Sequence, residues 1–141
     1  MLETFRFIQH LRVTLSDIDM LRHVNNAAYV RWLETIRCEY FAEVLGGEVA
    51  GERGIIMAKL NVDYEVALQY RERVAIGCKV SRIGGKSFDF AYEVWSEDRN
   101  LRSARAVTTV VAMNYETGKT IAVPEAWRAA VAAFEIAVLP V

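Results

Sequence analysis

Between the pairs Asn25-Asn26 and Gly46-Gly47, apolar residues recur at spacings of three and four. Tyr29, Leu33, Ile36, Tyr40 and Val44 fall on one face of a 3.6-residue turn, and Trp32, Phe41 and Leu45 widen that face. Arg31, Glu34, Thr35, Glu39 and Glu43 fill the other side. The spacing predicts one helix from Asn26 to Leu45, with asparagine as N-cap and glycine as the stop signal. At 1.5 Å per residue it spans about 30 Å. So long and broad an apolar face requires a large surface to pack on.

Downstream the period changes to two. Ala58, Leu60, Val62, Tyr64 and Val66 alternate with Lys59, Asn61, Asp63 and Glu65. The same alternation runs through Val74, Ile76, Cys78 and Val80, and again through Phe88, Phe90, Tyr92 and Val94. These are the marks of half-buried antiparallel strands. Gly84-Gly85 is a hairpin signal between two of them. The polar runs Glu97 to Asn100 and Glu116 to Lys119 bracket a further strand, Leu101 to Asn114. Thr4 to Leu15 is an additional strand candidate, and Pro124 suits the first turn of a short helix, Glu125 to Phe134. Strand, loop, long helix, four contiguous strands and a short helix predict an α+β domain, with a mainly antiparallel sheet covering the helix. No repeat or linker interrupts the chain, so one domain over residues 1–141 is expected.

Composition narrows the chemistry. Of the 141 residues, 53% are hydrophobic and 25% charged, enough for a real core. A net charge of -1 argues against a nucleic-acid binder, which needs a basic surface to neutralise phosphates. The longest uncharged stretch, Ala106 to Tyr115, is far shorter than the roughly 20 apolar residues of a membrane-spanning helix. Glu3, Arg6 and Arg12 punctuate the first residues, unlike the apolar centre of a secretory signal, and a cytoplasmic location is expected. Cys38 and Cys78 lack metal-ligand spacing, and the only histidines are His10 and His23, so neither a metal site nor a cofactor is expected. Catalysis would rest on carboxylates, a histidine, hydroxyls and backbone amides.

Ser16 to Tyr29, S-D-I-D-M-L-R-H-V-N-N-A-A-Y, concentrates such groups. It leads into the long helix, whose first amides lack intrahelical partners and whose dipole makes that end positive. Such an end polarises a carbonyl. A carboxylate just upstream, Asp17 or Asp19, can attack that carbonyl or activate a water against it. The same residues have a structural reading: the acids hydrogen-bond turn amides, and the asparagines cap the helix.

The pattern D-x-D-x-x-x-H-V-N-N-x-x-Y before a long helix resembles the 4-hydroxybenzoyl-CoA thioesterase-like branch of the hotdog-fold superfamily. The resemblance extends through Leu60 to Tyr64, the hairpin Gly84 to Ser87, the strand Ala104 to Asn114 and Pro124-Glu125. It implies a five-stranded antiparallel sheet around one central helix, and hydrolysis of acyl-CoA or acyl-carrier-protein thioesters. It implies Asp19 as nucleophile or general base, with His23 and Asn25 completing the catalytic loop. Val24, Asn26, Tyr29 and Ser87 fall on substrate-binding positions, Ser87 toward the neighbouring subunit of a homodimer or homotetramer. Arg22 and Arg71 stand where relatives commonly have glycine, so the backbone is expected to depart locally there. Two alternatives stay open: a non-catalytic acyl-thioester-binding module, and a hydroxyacyl-thioester dehydratase using His23 and Glu34. The unpaired edge strands of a single sheet independently argue for a homodimer.

Overall fold

In a computed structural model of the chain, which describes residues 1–47, 50–135 and 139–140, the long helix α1 runs over Asn26–Glu43. The strands are β1 (Phe7–Arg12), β2 (Gly54–Tyr64), β3 (Arg73–Ile83), β4 (Ser87–Ser96) and β5 (Leu101–Asn114). Two-residue strands β6 (Lys119–Thr120) and β7 (Leu139–Pro140) and the helix α2 (Glu125–Phe134) complete the order. The five long strands form one sheet in the order β1-β3-β4-β5-β2, each pair antiparallel. β6 extends it beside β5, and β7 pairs in parallel with β3 at Arg82–Ile83. This is the α+β hotdog fold. Of the apolar tail Ile136 to Val141, all but Leu139–Pro140 lies outside the described residues.

The two periods meet at one interface. Tyr29, Leu33, Ile36, Tyr40 and Phe41 of α1 are buried against Val74, Ile76, Cys78 and Val80 of β3 and Phe88, Phe90 and Tyr92 of β4. The Tyr40 ring meets Phe7, Phe90 and Phe134 edge-on, which joins the helix, the sheet and α2. Each such burial contributes about 1.5–3 kcal/mol. Gly46, at φ +66°, supplies the left-handed turn after the helix.

Three elements differ from the sequence expectation. α1 stops at Glu43, with Val44 as its C-cap. β2 begins at Gly54 rather than Ala58; a register shift between Met57 and Lys59 breaks its alternation, so periodicity identifies only the downstream half. β1 is confined to Phe7–Arg12. The segment before it folds over the outer sheet face, where Leu2 and Phe5 pack with Ala75 and Trp95. That cover explains why Ala75 and Gly77 are buried although they alternate with the inner-face residues of β3.

The sheet has one long exposed edge. β2 pairs with β5 on one side, and its other side has no strand partner among the described residues. Ile56 and Met57 on this edge are exposed. Neither described helix is long and apolar enough to cross a membrane.

Candidate active site

The chain from β1 to α1 turns twice before the helix begins. A single 3-10 turn, Leu15–Asp17, comes first. Asp17 is buried there, accepting from the Thr14 N–H (2.9 Å) and the Thr14 hydroxyl (3.0 Å), with Arg31 at 3.4 Å. Its backbone carbonyl accepts from the Asn25 N–H at 2.8 Å. Asp17 is therefore the clasp of the loop.

Asp19 opens the second turn. Ile18 and Val24 form an isolated antiparallel bridge, and the Arg22 N–H donates to the Asp19 carbonyl at 3.0 Å. The Asp19 Oδ1 accepts from the Leu21 N–H at 2.8 Å, which fixes the side chain, while Oδ2 has no partner among the described residues. Arg22 adopts φ +66°, and Arg71 φ +70°. The left-handed conformation natural to glycine is thus present at both positions, imposed on arginine side chains.

Asn25 caps α1, its side chain accepting from the Ala27 N–H at 2.8 Å. The N–H groups of His23 and Asn26 have no acceptor among the described residues. The first turn of α1 holds no acidic residue, so nothing on the helix offsets its positive end.

These groups converge on one pocket of about 310 Å3. Asp19, His23, Val24, Asn25, Asn26 and Tyr29 all line it. Its far wall was not singled out by the sequence reading: Tyr64, the end of β2, and the following Glu65, Val66 and Ala67. The alternation in the sequence runs on to Val66 although β2 ends at Tyr64, so periodicity alone reads this wall as strand. Leu21 also joins the lining. Ser87 lies elsewhere in the protomer, at the start of β4, where its hydroxyl accepts from Arg82 at 3.0 Å.

The far wall is tied to the scaffold. The Val24 N–H donates to the Leu68 carbonyl at 2.9 Å, and the Val66 N–H to the Ser103 carbonyl at 3.1 Å. Ser103 Oγ donates to the Val66 carbonyl at 2.6 Å, so the Tyr29 hydroxyl, 2.8 Å away, donates to Ser103. Arg99 donates to the Ala67 carbonyl at 2.7 Å and pairs with Glu72 at 2.8 Å. The Tyr64 hydroxyl donates to the Asn26 carbonyl at 3.1 Å, and its ring meets Tyr29 edge-on. Burial pushes the Tyr29 hydroxyl above its usual value, and burial likewise raises Tyr64. Both are neutral donors near pH 7.

The arrangement sets a fixed carboxylate and free amides at a positive helix end around one opening. It can hold a carbonyl and deliver a nucleophile or base to it. No cluster of His, Cys, Asp and Glu that could hold a metal ion occurs among the described residues.

Comparison with known proteins agrees with this architecture. A thioesterase described as complexed with coenzyme A and Zn from Thermus thermophilus superposes with TM-score 0.85 at 24% identity, over 98% of this chain and 100% of that one. The PA5185 protein of Pseudomonas aeruginosa gives TM-score 0.85 at 23% identity, over 97% and 96%. A 1,4-dihydroxy-2-naphthoyl-CoA thioesterase from Synechocystis gives 0.78 at 17% identity, over 89% and 95%. At these identities the likeness is one of fold. No curated protein matches the sequence. The family model of the thioesterase-like superfamily matches residues 13–131, most of the chain, including the loop, α1 and β2 to β5. The chain belongs to the thioesterase-like superfamily.

Proposed function

We propose that the protein is a thioester hydrolase that converts an acyl-CoA to the free acid and coenzyme A, with Asp19 as its reacting carboxylate. The observation that carries this reading is the joint placement of the unpartnered Asp19 Oδ2 and the unpartnered Asn26 N–H on one pocket. The thioester carbonyl would sit against the Asn26 N–H and the positive end of α1. Negative charge developing on its oxygen is stabilised there.

Two steps satisfy this geometry. Asp19 attacks the carbonyl carbon, the C–S bond breaks, coenzyme A leaves as thiolate, and water hydrolyses the resulting anhydride. Alternatively Asp19 takes a proton from water as the water attacks, and the tetrahedral intermediate expels the thiolate. His23 and Asn25 shape the loop around the carbonyl; Val24, Asn26 and Tyr29 contact the acyl group. The Thermus thermophilus neighbour, described as complexed with coenzyme A, supports the choice of thioester.

The free edge of β2 supports a homodimer. Two-fold antiparallel pairing of β2 with its copy would continue the sheet and cover Ile56 and Met57. Light scattering is expected to give at least twice the 16.0 kDa chain mass.

The test is release of free thiol from acetyl-, hexanoyl-, palmitoyl-, benzoyl- and 4-hydroxybenzoyl-CoA. Hydrolysis of at least one is expected. If none is hydrolysed while the thioesters bind, the protein is a binding module and the catalytic reading fails.

A further inference from the structure

The middle of α1 carries a charge where the fold should carry a hydrocarbon. Arg37 lies on the sheet-facing side of the helix, and its side chain is only 8% exposed. Its Nη1 donates to the Tyr92 hydroxyl at 3.2 Å, and that hydroxyl is 2.7 Å from Thr108 Oγ1. The carboxylate nearest its guanidinium among the described residues is Glu34, 4.0 Å away and itself 70% exposed. A pair so long and so open to solvent does little to neutralise a buried cation. A buried guanidinium without a close anion is costly, and it persists where an anion completes it.

Beside Arg37 is a second cavity, of about 360 Å3, between α1 and the first half of β2. Ile55, Ile56, Met57 and Val110 give it apolar sides, and Arg37 and Glu34 supply its charges. Within one protomer Arg37 is about 16 Å along the helix from Asn26, at 1.5 Å per residue. Two-fold pairing of β2 shortens the route to the partner. Antiparallel strands related by a two-fold axis run start against end, so with the axis near the middle of β2, Ile55 to Met57 would lie beside the second half of the other copy's β2. The end of that half, at Tyr64, is a wall of the Asp19 pocket.

We infer that the Arg37 cavity receives the far end of the acyl group held at the partner subunit's Asp19, and that Arg37 selects acyl groups ending in a carboxylate. The inference rests on the thioesterase reading for its ligand and on the β2 dimer for its geometry. The apolar sides take the methylene chain, and the guanidinium takes the terminal acid in a charge-assisted pair. Arg37 is a specificity residue; it takes no part in breaking the thioester.

The experiment compares adipoyl-CoA with hexanoyl-CoA, six-carbon acyl groups that differ in the terminal acid. Binding is measured by calorimetry on Asp19→Asn protein, so that selectivity is read without turnover; hydrolysis is measured on the wild type. Tighter binding of adipoyl-CoA by about tenfold or more is expected, the size of one charge-assisted hydrogen bond. Adding Arg37→Met should abolish this preference, and Arg37→Lys should restore part of it. Equal or weaker binding of adipoyl-CoA overturns the proposal, and the unmodified cavity decides this even if Arg37→Met does not fold. A preference that survives in a folded Arg37→Met protein also overturns it. Selective binding without wild-type hydrolysis would uphold the Arg37 assignment and defeat the hydrolase reading, so the two failures are distinct.

Discussion

Replacing Asp17 by alanine separates the two acids of the D-x-D pair. The change removes the acceptor of the Thr14 N–H and of the Thr14 hydroxyl, and the partner of Arg31. A lost bond to a charged, buried acceptor costs about 1.5–3 kcal/mol, lessened here because Thr14 is open to solvent. The Arg31 pair adds about 1 kcal/mol at most, since Arg31 is exposed. A total of about 2 kcal/mol corresponds to a fall in Tm of about 6–10 °C for a chain of this size. Thermal unfolding followed by circular dichroism reads the change directly. Asp17→Asn, which keeps one acceptor oxygen, should lose about half as much. Turnover per folded molecule should fall less than about tenfold, because the Asp17 carboxylate is not among the groups lining the Asp19 pocket. An unchanged Tm with turnover abolished would refute the division of labour between the two acids.

Arg22→Gly and Arg71→Gly should each stabilise the protein by about 0.5–1 kcal/mol in urea titrations, since relief of a positive φ exceeds the added freedom of the unfolded chain. Asp89 gives a pH signature. Burial alone would raise its carboxyl, but hydrogen bonds from Arg82 and Thr109 outweigh burial and hold it below its usual value. Its contribution is therefore present above an unfolded pKa of about 3.9 and lost as pH falls through the lower folded value. Asp89→Asn should be less stable than wild type at pH 7, with the gap closing below about pH 4. Gly77→Ala would place a Cβ 2.5 Å from the Phe5 ring and so should lift the N-terminal segment off the outer sheet face. A red shift in Trp95 emission, read against a Trp95→Phe control, would report it.

The sequence made the scaffold legible because its two periods are clean. Tyr29, Leu33, Ile36 and Tyr40 are all buried at helical spacing, and Phe88, Phe90, Tyr92 and Val94 at strand spacing. The loop ahead of α1 was legible as chemistry, and Asp19, His23, Asn25, Asn26 and Tyr29 do share one pocket. The signal that ties down one acid is the Thr14-Leu-Ser-Asp17 spacing, at which the third residue of a helical turn accepts from the N–H of its cap; it leaves Asp19 as the acid with a free oxygen. The far wall at Glu65 to Ala67 comes from a distant loop anchored by Ser103 and Arg99. Arg37 was hidden because a charged residue reads as surface wherever the helix is polar nearby. The role expected of Ser87 depends on a neighbouring subunit; within the protomer its hydroxyl accepts from Arg82 and its carbonyl from the Gly84 N–H.

The central claim is that Asp19 drives thioester hydrolysis from a loop whose stability lies in Asp17. Its most direct test is single-turnover hydrolysis of the best acyl-CoA by wild type and by Asp19→Asn. The asparagine Oδ1 can still accept from the Leu21 N–H, so the Tm should stay within about 2 °C of wild type. Hydrolysis should fall by about 100-fold or more, the contribution of a positioned base or nucleophile. An Asp19→Asn protein that folds normally and hydrolyses at the wild-type rate would contradict the account.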